Sequence, residues 1–397
     1  MAVNLRKRVA VLPPIIIYGL CRWDYIVNRP QNLALEFAKH TRVFYIDPPV
    51  SAGEEATSVR AVVDHLRAPV TECHAVEGGV TLVSTRARYP FPGKSDCVNG
   101  ANIRLIRREI ERIVKGLDRP PILWVMYPSD RRLFSGLHPS VLVYDLVDRH
   151  AHFPGQPAKY LERLQSNEEW LFRHADLVTV TSRSLRDYAV SAGARTVAVV
   201  PNGAAAEHFR TAIRAPRAGG DPVIGYVGAI GEWFDFSAIR SLAASLPNAT
   251  ILLAGPFHAP VTGLPDGLPP RVKHVGVIPF ADLPRFVEGL DLCLIPFAVD
   301  DMTRAVNPVK VYEYLAAGKP VLSTPLPEVV ALGSVVDTSS ADAFGESAIR
   351  ILANDSPVKV QERVRIAQEN GWGARVATAI EALEPLLNRQ TCGSEHE

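Results

Sequence analysis

The sequence predicts an α/β protein of two tandem, doubly wound domains, each a mostly parallel sheet flanked by helices. Three observations predict it. The 397 residues exceed what one hydrophobic core serves and suit two domains of roughly 150 to 200 residues each. Short apolar runs alternate with amphipathic stretches of helical period along the whole chain, the pattern of strand–helix–strand units whose strands are buried on both faces. The alternation breaks at 211–222 (TAIRAPRAGGDP), where two prolines and two glycines in a weakly apolar stretch mark a linker.

In chain order, the first half gives strands at 14–18, 43–46, 81–84, 122–126, 141–145, 177–181 and 197–200, with helices between most of them, such as 30–39. After the linker come VIGYVG (223–228), a helix at 236–245, TILLAG (250–255), VKHVGVI (272–278), a helix at 281–289 and DLCLIPF (291–297). The stretch NPVKVYEYLAAGKPVLSTP (307–325) then reads as a helix and a strand at 321–324. Asn307 is placed to cap that helix, Pro308 to open it where a missing N–H costs nothing, and Gly318 to end it in the left-handed C′ position. The expected domains are 1–212 and 220–375, with a closing helix at 376–390 and a frayed polar tail from 388.

Composition narrows the function. Hydrophobic residues at 47% and charged residues at 21% exclude a disordered or fibrous chain. Cys21, Cys73, Cys97, Cys293 and Cys392 are scattered and form no C-x-x-C pair, which argues against a disulfide framework or zinc site and for a reducing cytoplasm. Arg6, Lys7 and Arg8 precede the apolar run 9–20 as in a signal peptide, but Pro13, Pro14 and its short length make that run a buried first strand. The net charge of +1 conceals a split: residues 1–217 hold 30 basic and 21 acidic side chains (+9), and residues 218–397 hold 13 and 21 (−8). The basic half favours an anionic partner. Part of that charge lies on 102–117, where Arg104, Arg108, Arg112 and Lys115 line one helical stripe and Ile103, Ile106, Ile110, Ile113 and Leu117 another. This is either the solvated face of a packed helix or a dock on an anionic membrane surface.

In doubly wound sheets ligands bind beyond the carboxyl ends of the strands. A strand at 291–297, a loop and a helix starting near 308 therefore aim backbone N–H groups and a positive dipole end at one place, where a phosphate or diphosphate fits. Lys310 adds charge in the first turn, and Glu313, three residues on, shares its side of the helix. A carboxylate beside a phosphate is favourable where it accepts hydrogen bonds from hydroxyls, as a ribose offers, so the pair suits a nucleoside diphosphate. The plain alternative is a surface ion pair worth a few tenths of a kcal/mol.

The run KVYEYLAAGKPVLSTPLPE resembles the nucleotide-binding signature of retaining GT-B glycosyltransferases of glycosyltransferase family 4. ADLVTVTSRSLRDY followed by VAVVPNGAAAEHF, and VIGYVGAIGEWFDF, resemble further segments of that family. RPQNLALEFAKHTRVFYIDPP, YDLVDRHAHFPG and GEWFDF are similar to a bacterial subgroup that includes teichuronic-acid-type and other cell-surface polysaccharide glycosyltransferases, and NGWGARVATAIEAL is similar to the family's closing helix. The resemblance implies a GT-B architecture, two Rossmann-like domains facing a central cleft. It implies a hexosyltransferase that moves a sugar from a nucleotide-diphosphate sugar to a hydroxyl of a glycan, lipid-linked or small-molecule acceptor, with retained anomeric configuration and no obligatory metal.

Residue by residue, it assigns Glu313 to the ribose, with Asn307, Pro308, Val309, Gly228, Trp233 and Asn202 around the donor. Lys310, with Arg304 as a second candidate, meets the diphosphate, because Glu232, Trp233, Phe234 and Asp235 stand where the family usually has Arg and Lys. The family's Glu near the donor sugar is replaced by Ala305, leaving Asp300 and Asp301 as substitutes. In the first domain, position after the strands places Trp23, Arg29, Gln31 and His150 at the acceptor and Asp148 with the catalytic residues; the plain alternatives are an ordinary polar helix start for Arg29 and Gln31 and a structural histidine at His150. Asp145 and Asp148 alone are too few ligands for a metal.

Two rivals remain: a nucleotide-sugar epimerase of the same fold, and a sugar-nucleotide binder without catalysis, which Ala305 makes thinkable. No G-x-G-x-x-G with a following acidic residue supports a dehydrogenase, and no nucleic-acid-binding module is present. The expected location is the cytoplasm, with peripheral contact at the inner face of the membrane as a candidate.

Overall fold

The strands are apolar because each is covered on both faces by helices, and the sheets order them as in doubly wound proteins. The computed structural model describes residues 12–50, 59–89, 96–150, 157–217, 219–258 and 267–393. Arg6, Lys7, Arg8, the start of the apolar run 9–20 and the last residues of the tail lie outside these. The chain divides into two compact units. One comprises Met1–Thr179, Ala189–Ala198 and Ala379–Glu397, and the other Val180–Tyr188 and Val199–Thr378.

The N-terminal unit is built on an eight-stranded sheet. Its strands are β1 (Ile15–Tyr18), β2 (Val43–Ile46), β3 (Thr71–Ala75), β4 (Val80–Thr85), β5 (Ile122–Val125), β6 (Val141–Leu146), β7 (Leu177–Val180) and β8 (Val197–Val199), in spatial order β3-β4-β2-β1-β5-β6-β7-β8. The recorded β1, β2, β4, β5 and β6 pairings are parallel, with β3 antiparallel on the edge. Ile15, Ile16 and Ile17 are fully buried, as a central parallel strand requires. The chain runs outward from β1 in one direction and from β5 in the other, so the switch point, where ligands bind in such sheets, lies between them.

Four helices of this unit are α1 (Arg29–Ala38), α2 (Val59–Arg67), α3 (Asp96–Lys115) and α4 (Ala158–His174). α1 begins with a capping box in which Asn28 and Gln31 each serve the other's backbone. α3 buries Ile103, Ile106 and Ile110 and exposes Arg104, Arg108, Arg112 and Lys115. Its apolar stripe therefore belongs to the core, and the basic stripe is exposed.

α5 (Arg183–Ser191) and α6 (Ala206–Phe209) lead on to the second sheet. Its strands are β9 (Val223–Val227), β10 (Thr250–Ala254), β11 (Val272–Gly276), β12 (Leu292–Ile295), β13 (Val321–Ser323) and β14 (Asp337–Thr338), all parallel, in the order β11-β10-β9-β12-β13-β14. Helices α7 (Phe236–Ser245), α8 (Leu283–Glu288), α9 (Val309–Ala316), α10 (Pro327–Val330), α11 (Phe344–Ala353), α12 (Pro357–Glu369) and α13 (Trp372–Gly393) complete the chain. Alternation along β12 shows how the sheet is covered: Leu292 and Leu294 enter one core cluster, and Cys293 and Ile295 the other. The switch point lies between β9 and β12. The glycine loop after β9 and the loop from β12 into α9 both open onto it.

Candidate active site

The loop after β12 delivers α9, whose C-terminus is fixed by a Schellman motif. The Gly318 N–H bonds the Leu315 carbonyl at 2.9 Å and the Lys319 N–H the Tyr314 carbonyl at 3.0 Å. Gly318 sits at φ +71° as expected, and a Cβ there would come within 2.8 Å of Val360.

The N-terminus differs from the sequence expectation in a way that matters. Pro308, not Asn307, takes the N-cap position, and no side chain caps the helix. Asn307 is occupied elsewhere: its Oδ1 accepts the Asn202 N–H at 3.0 Å, its carbonyl accepts from Asn202 Nδ2 at 2.6 Å, and its Nδ2 donates to Tyr312 Oη at 3.1 Å. Arg375 holds the other side of Asn202, donating from Nε to its carbonyl at 2.9 Å. In the first turn of α9 the Val311 N–H bonds the Pro308 carbonyl at 3.3 Å, and no side chain caps the turn.

Lys310 lies in that turn and pairs with Glu313 at 2.6 Å, with side chains 19% and 6% exposed. A cation at a helix N-terminus opposes the helix dipole. Such violations of a local rule are expected at functional or strained sites. The partly buried pair is more than a surface ion pair, and its carboxylate is positioned by the Lys310 ammonium group.

Across the crevice, the Gly228 N–H is used within the sheet, donating to the Ala254 carbonyl at 2.9 Å. Its role is close backbone packing. A Cβ on Gly255 would fall 1.9 Å from the Gly228 carbonyl oxygen, and Gly228 itself has φ +154°. Trp233 closes the loop on itself: its Nε1 donates to the Ala229 carbonyl at 3.2 Å, and its ring leaves no room for a side chain at Gly231. Asp235 caps α7. Arg304 is exposed on a short 3-10 turn, and Ala305 beside it is 3% exposed, so that position faces the core. Asp300 accepts the Met302 and Thr303 N–H groups, which makes it a turn cap.

In the N-terminal unit two expected acceptor residues are used within the fold. Arg29, 1% exposed, forms a bidentate pair with the fully buried Asp145, Nε to Oδ2 at 3.0 Å and Nη2 to Oδ1 at 2.8 Å. Trp124 Nε1 and Thr179 Oγ1 donate to the same carboxylate. Gln31 completes the α1 capping box and donates to the Arg22 and Trp23 carbonyls, shaping the 19–28 loop. Trp23 lies in that loop, its N–H on Asp47 Oδ1 at 2.8 Å and its ring edge-on to Tyr45.

Asp148 and His150 follow β6, beyond the carboxyl end of the sheet. Burial pushes the Asp148 carboxyl up to about 7, against the pull of the Arg29 charge. Burial pushes the His150 imidazole down to about 4, and its ring stands edge-on to Tyr127. The two act oppositely on stability. Asp148 binds its proton more tightly in the native state, so its contribution is full below about 4 and is lost as pH rises toward 7. His150 binds its proton less tightly, so its contribution is full above about 6.5 and is lost as pH falls toward 4. Asp148→Asn is therefore expected to gain stability relative to wild type as pH rises from 4 to 7. Urea midpoints at several pH values check this, and a constant difference would refute it.

Residues 221–354 match the family model described as Glycosyl transferases group 1. Over 222 residues, 52% of this chain and 55% of the relative, the chain is 30% identical to TuaH of Bacillus subtilis (strain 168), named as a candidate teichuronic acid biosynthesis glycosyltransferase. It is 26% identical over 270 residues to the 2-deoxystreptamine glucosyltransferase of Streptomyces kanamyceticus, covering 59% of this chain and 68% of that one. The chain thus spans little more than half of the first relative and about two thirds of the second.

Among solved structures, sucrose-phosphate synthase from Thermosynechococcus elongatus superposes with a TM-score of 0.65 at 14% identity, covering 96% of this chain and 100% of that one. HepE of Anabaena, in complex with UDP and glucose, gives 0.63 at 15%, covering 94% and 99%. Residues 221–354 are therefore a glycosyl transferases group 1 domain, in a chain with the GT-B fold of glycosyltransferases of known structure.

Proposed function

We propose that this chain is a retaining glycosyltransferase of the family 4 type that uses a nucleotide-diphosphate sugar. The observation that carries the reading is the Lys310–Glu313 pair at the uncapped start of α9, beside the β9/β12 switch point of a domain that matches glycosyl transferases group 1. Glu313 accepts the ribose hydroxyls. Lys310 and the N–H groups of the first turn of α9 hold the diphosphate, where negative charge grows as the bond from the anomeric carbon to the phosphate oxygen breaks. The acceptor oxygen then bonds that carbon from the face the diphosphate leaves, and the hydroxyl proton passes to the departing phosphate oxygen.

Asp148, with its carboxyl near neutral pH, and His150 are assigned to the acceptor hydroxyl, and Trp23 to the loop that receives it. The reading assigns no metal or other cofactor. UDP-sugars are the first donors to test, because solved neighbours are complexes with UDP and UDP-glucose.

Incubation with UDP-, GDP- and ADP-sugars and a polysaccharide-precursor acceptor should give glycosylated acceptor and free nucleoside diphosphate, with the donor's anomeric configuration by NMR. An isomerised sugar nucleotide formed without acceptor would identify an epimerase instead, and binding without turnover a non-catalytic protein.

A lipid-linked acceptor is favoured by the net charge of +9 on residues 1–217, part of it on the exposed basic stripe of α3. No helix among the described residues is long and apolar enough to cross a membrane, so the contact proposed is peripheral. Co-sedimentation with vesicles rich in anionic lipid, and not with zwitterionic ones, is the expected result; binding to neither, or equal binding to both, would remove this part of the reading.

A further inference from the structure

The helix that carries Lys310 and Glu313 also carries Tyr314, 1% exposed, for which the reading above has no use. β9 pairs with β12 only through Leu292–Ile224 and Cys293–Gly225, so the two strands part before β9 ends at Val227. On its other side β9 stays paired with β10 as far as Val227–Ala254. Parting on one side alone is what opens the switch-point crevice. It also leaves the Val227 N–H without a strand partner on the β12 side. Tyr314 fills that place, its Oη accepting the Val227 N–H at 2.7 Å and lying 3.4 Å from the Val227 carbonyl. The next amide, Gly228, points the opposite way, to Ala254. One phenolic oxygen from α9 thus stands in for the missing strand at the last residue before the glycine loop.

We propose that Tyr314 is a positioning residue that fixes the distance between α9 and the glycine loop, and so the span in which a nucleoside diphosphate is held. The inference rests on the donor reading above. Glu313 is its neighbour in sequence and Lys310 lies one turn earlier, so a shift of α9 away from Val227 carries both. The loop cannot follow such a shift, because Gly228 is packed against Gly255 with no space for even a Cβ. Burial holds the phenol well above its usual pKa, so it stays protonated and neutral.

Tyr314→Phe keeps the ring and deletes only the hydroxyl. The nucleoside diphosphate that binds wild type most tightly among UDP, GDP and ADP is expected to bind this variant about tenfold more weakly by calorimetry, well below the melting temperature. Tyr144→Phe is the control. It deletes a buried hydroxyl bonded to Glu168 Oε1 at 2.8 Å in the N-terminal unit, and it should lower the melting temperature without changing nucleotide affinity. Nucleotide affinity within twofold of wild type for Tyr314→Phe, at whatever cost in melting temperature, would make Tyr314 a structural residue and overturn the inference. Failure of wild type to bind any of the three nucleotides would instead remove the donor reading, and this inference with it.

Discussion

Lys310→Ala is expected to lower the rate of sugar transfer by about 10²- to 10³-fold, the usual cost of removing one group aimed at charge that develops in the transition state. The charge on the departing diphosphate is larger in the transition state than in the bound donor, so kcat should fall more than KM rises. Deletion also leaves Glu313, 6% exposed at its side chain, without the ammonium 2.6 Å away, so some loss of donor affinity accompanies the rate effect. Lys310→Arg, which keeps the charge on a longer and wider head, should recover part of the rate. Steady-state kinetics with saturating acceptor decide the matter, and an unchanged kcat would remove Lys310 from the chemistry.

The second large effect is on stability. Arg29→Leu leaves the Asp145 carboxylate in the core with the Trp124 and Thr179 donors and no counter-charge. Breaking such a pair from one side costs about 3–5 kcal/mol. For a domain of this size that is a fall of about 10 °C in the transition of the N-terminal unit. Asp145→Asn, which strands the buried guanidinium instead, should cost a similar amount. The double replacement by leucine should regain only part of the loss, because it removes the unpaired charge but leaves the buried Trp124 and Thr179 donors without their acceptor. Differential scanning calorimetry reads all three variants, and melting of Arg29→Leu at the wild-type temperature would contradict the structural role assigned to this pair.

Most of the sheets was legible in the sequence for one reason: a parallel strand covered on both faces must be a short apolar run, and these runs are spaced by helices. Val43–Ile46 and the α7 helix at 236–245 coincide with expectation, and other strand ends differ by a residue or two. β3 was not legible. Its residues Thr71–Ala75 are polar and mostly exposed on an antiparallel edge, so neither burial nor alternation wrote a pattern there. β14 is a two-residue strand and leaves no pattern either.

At the site, the Lys310–Glu313 pair and the C′ glycine were legible because helical spacing and turn chemistry are local. The partners of Asn307, Arg29 and Gln31 were not, since each is decided by residues far away in sequence. Asn307 had the right chemistry for a cap but met Asn202, 105 residues distant in the chain. Arg29 looked like a ligand-binding group at a helix start, yet its fork meets Asp145, 116 residues on. Tyr314 reads from sequence as one more apolar-face aromatic, and only the parting of β9 from β12 shows what its hydroxyl is for.

The central claim is that the start of α9 binds a nucleoside diphosphate through Glu313 and Lys310. The most direct measurement is the thermal stabilisation of wild type and of Glu313→Ala by UDP, GDP, ADP and their common sugar conjugates. A ligand at 100 times its dissociation constant stabilises by about 2.7 kcal/mol, which is readily seen as a rise in melting temperature. The account predicts a rise for wild type with one nucleotide base and none for Glu313→Ala. An equal rise in both proteins, or no rise in wild type with any of these ligands, would contradict it.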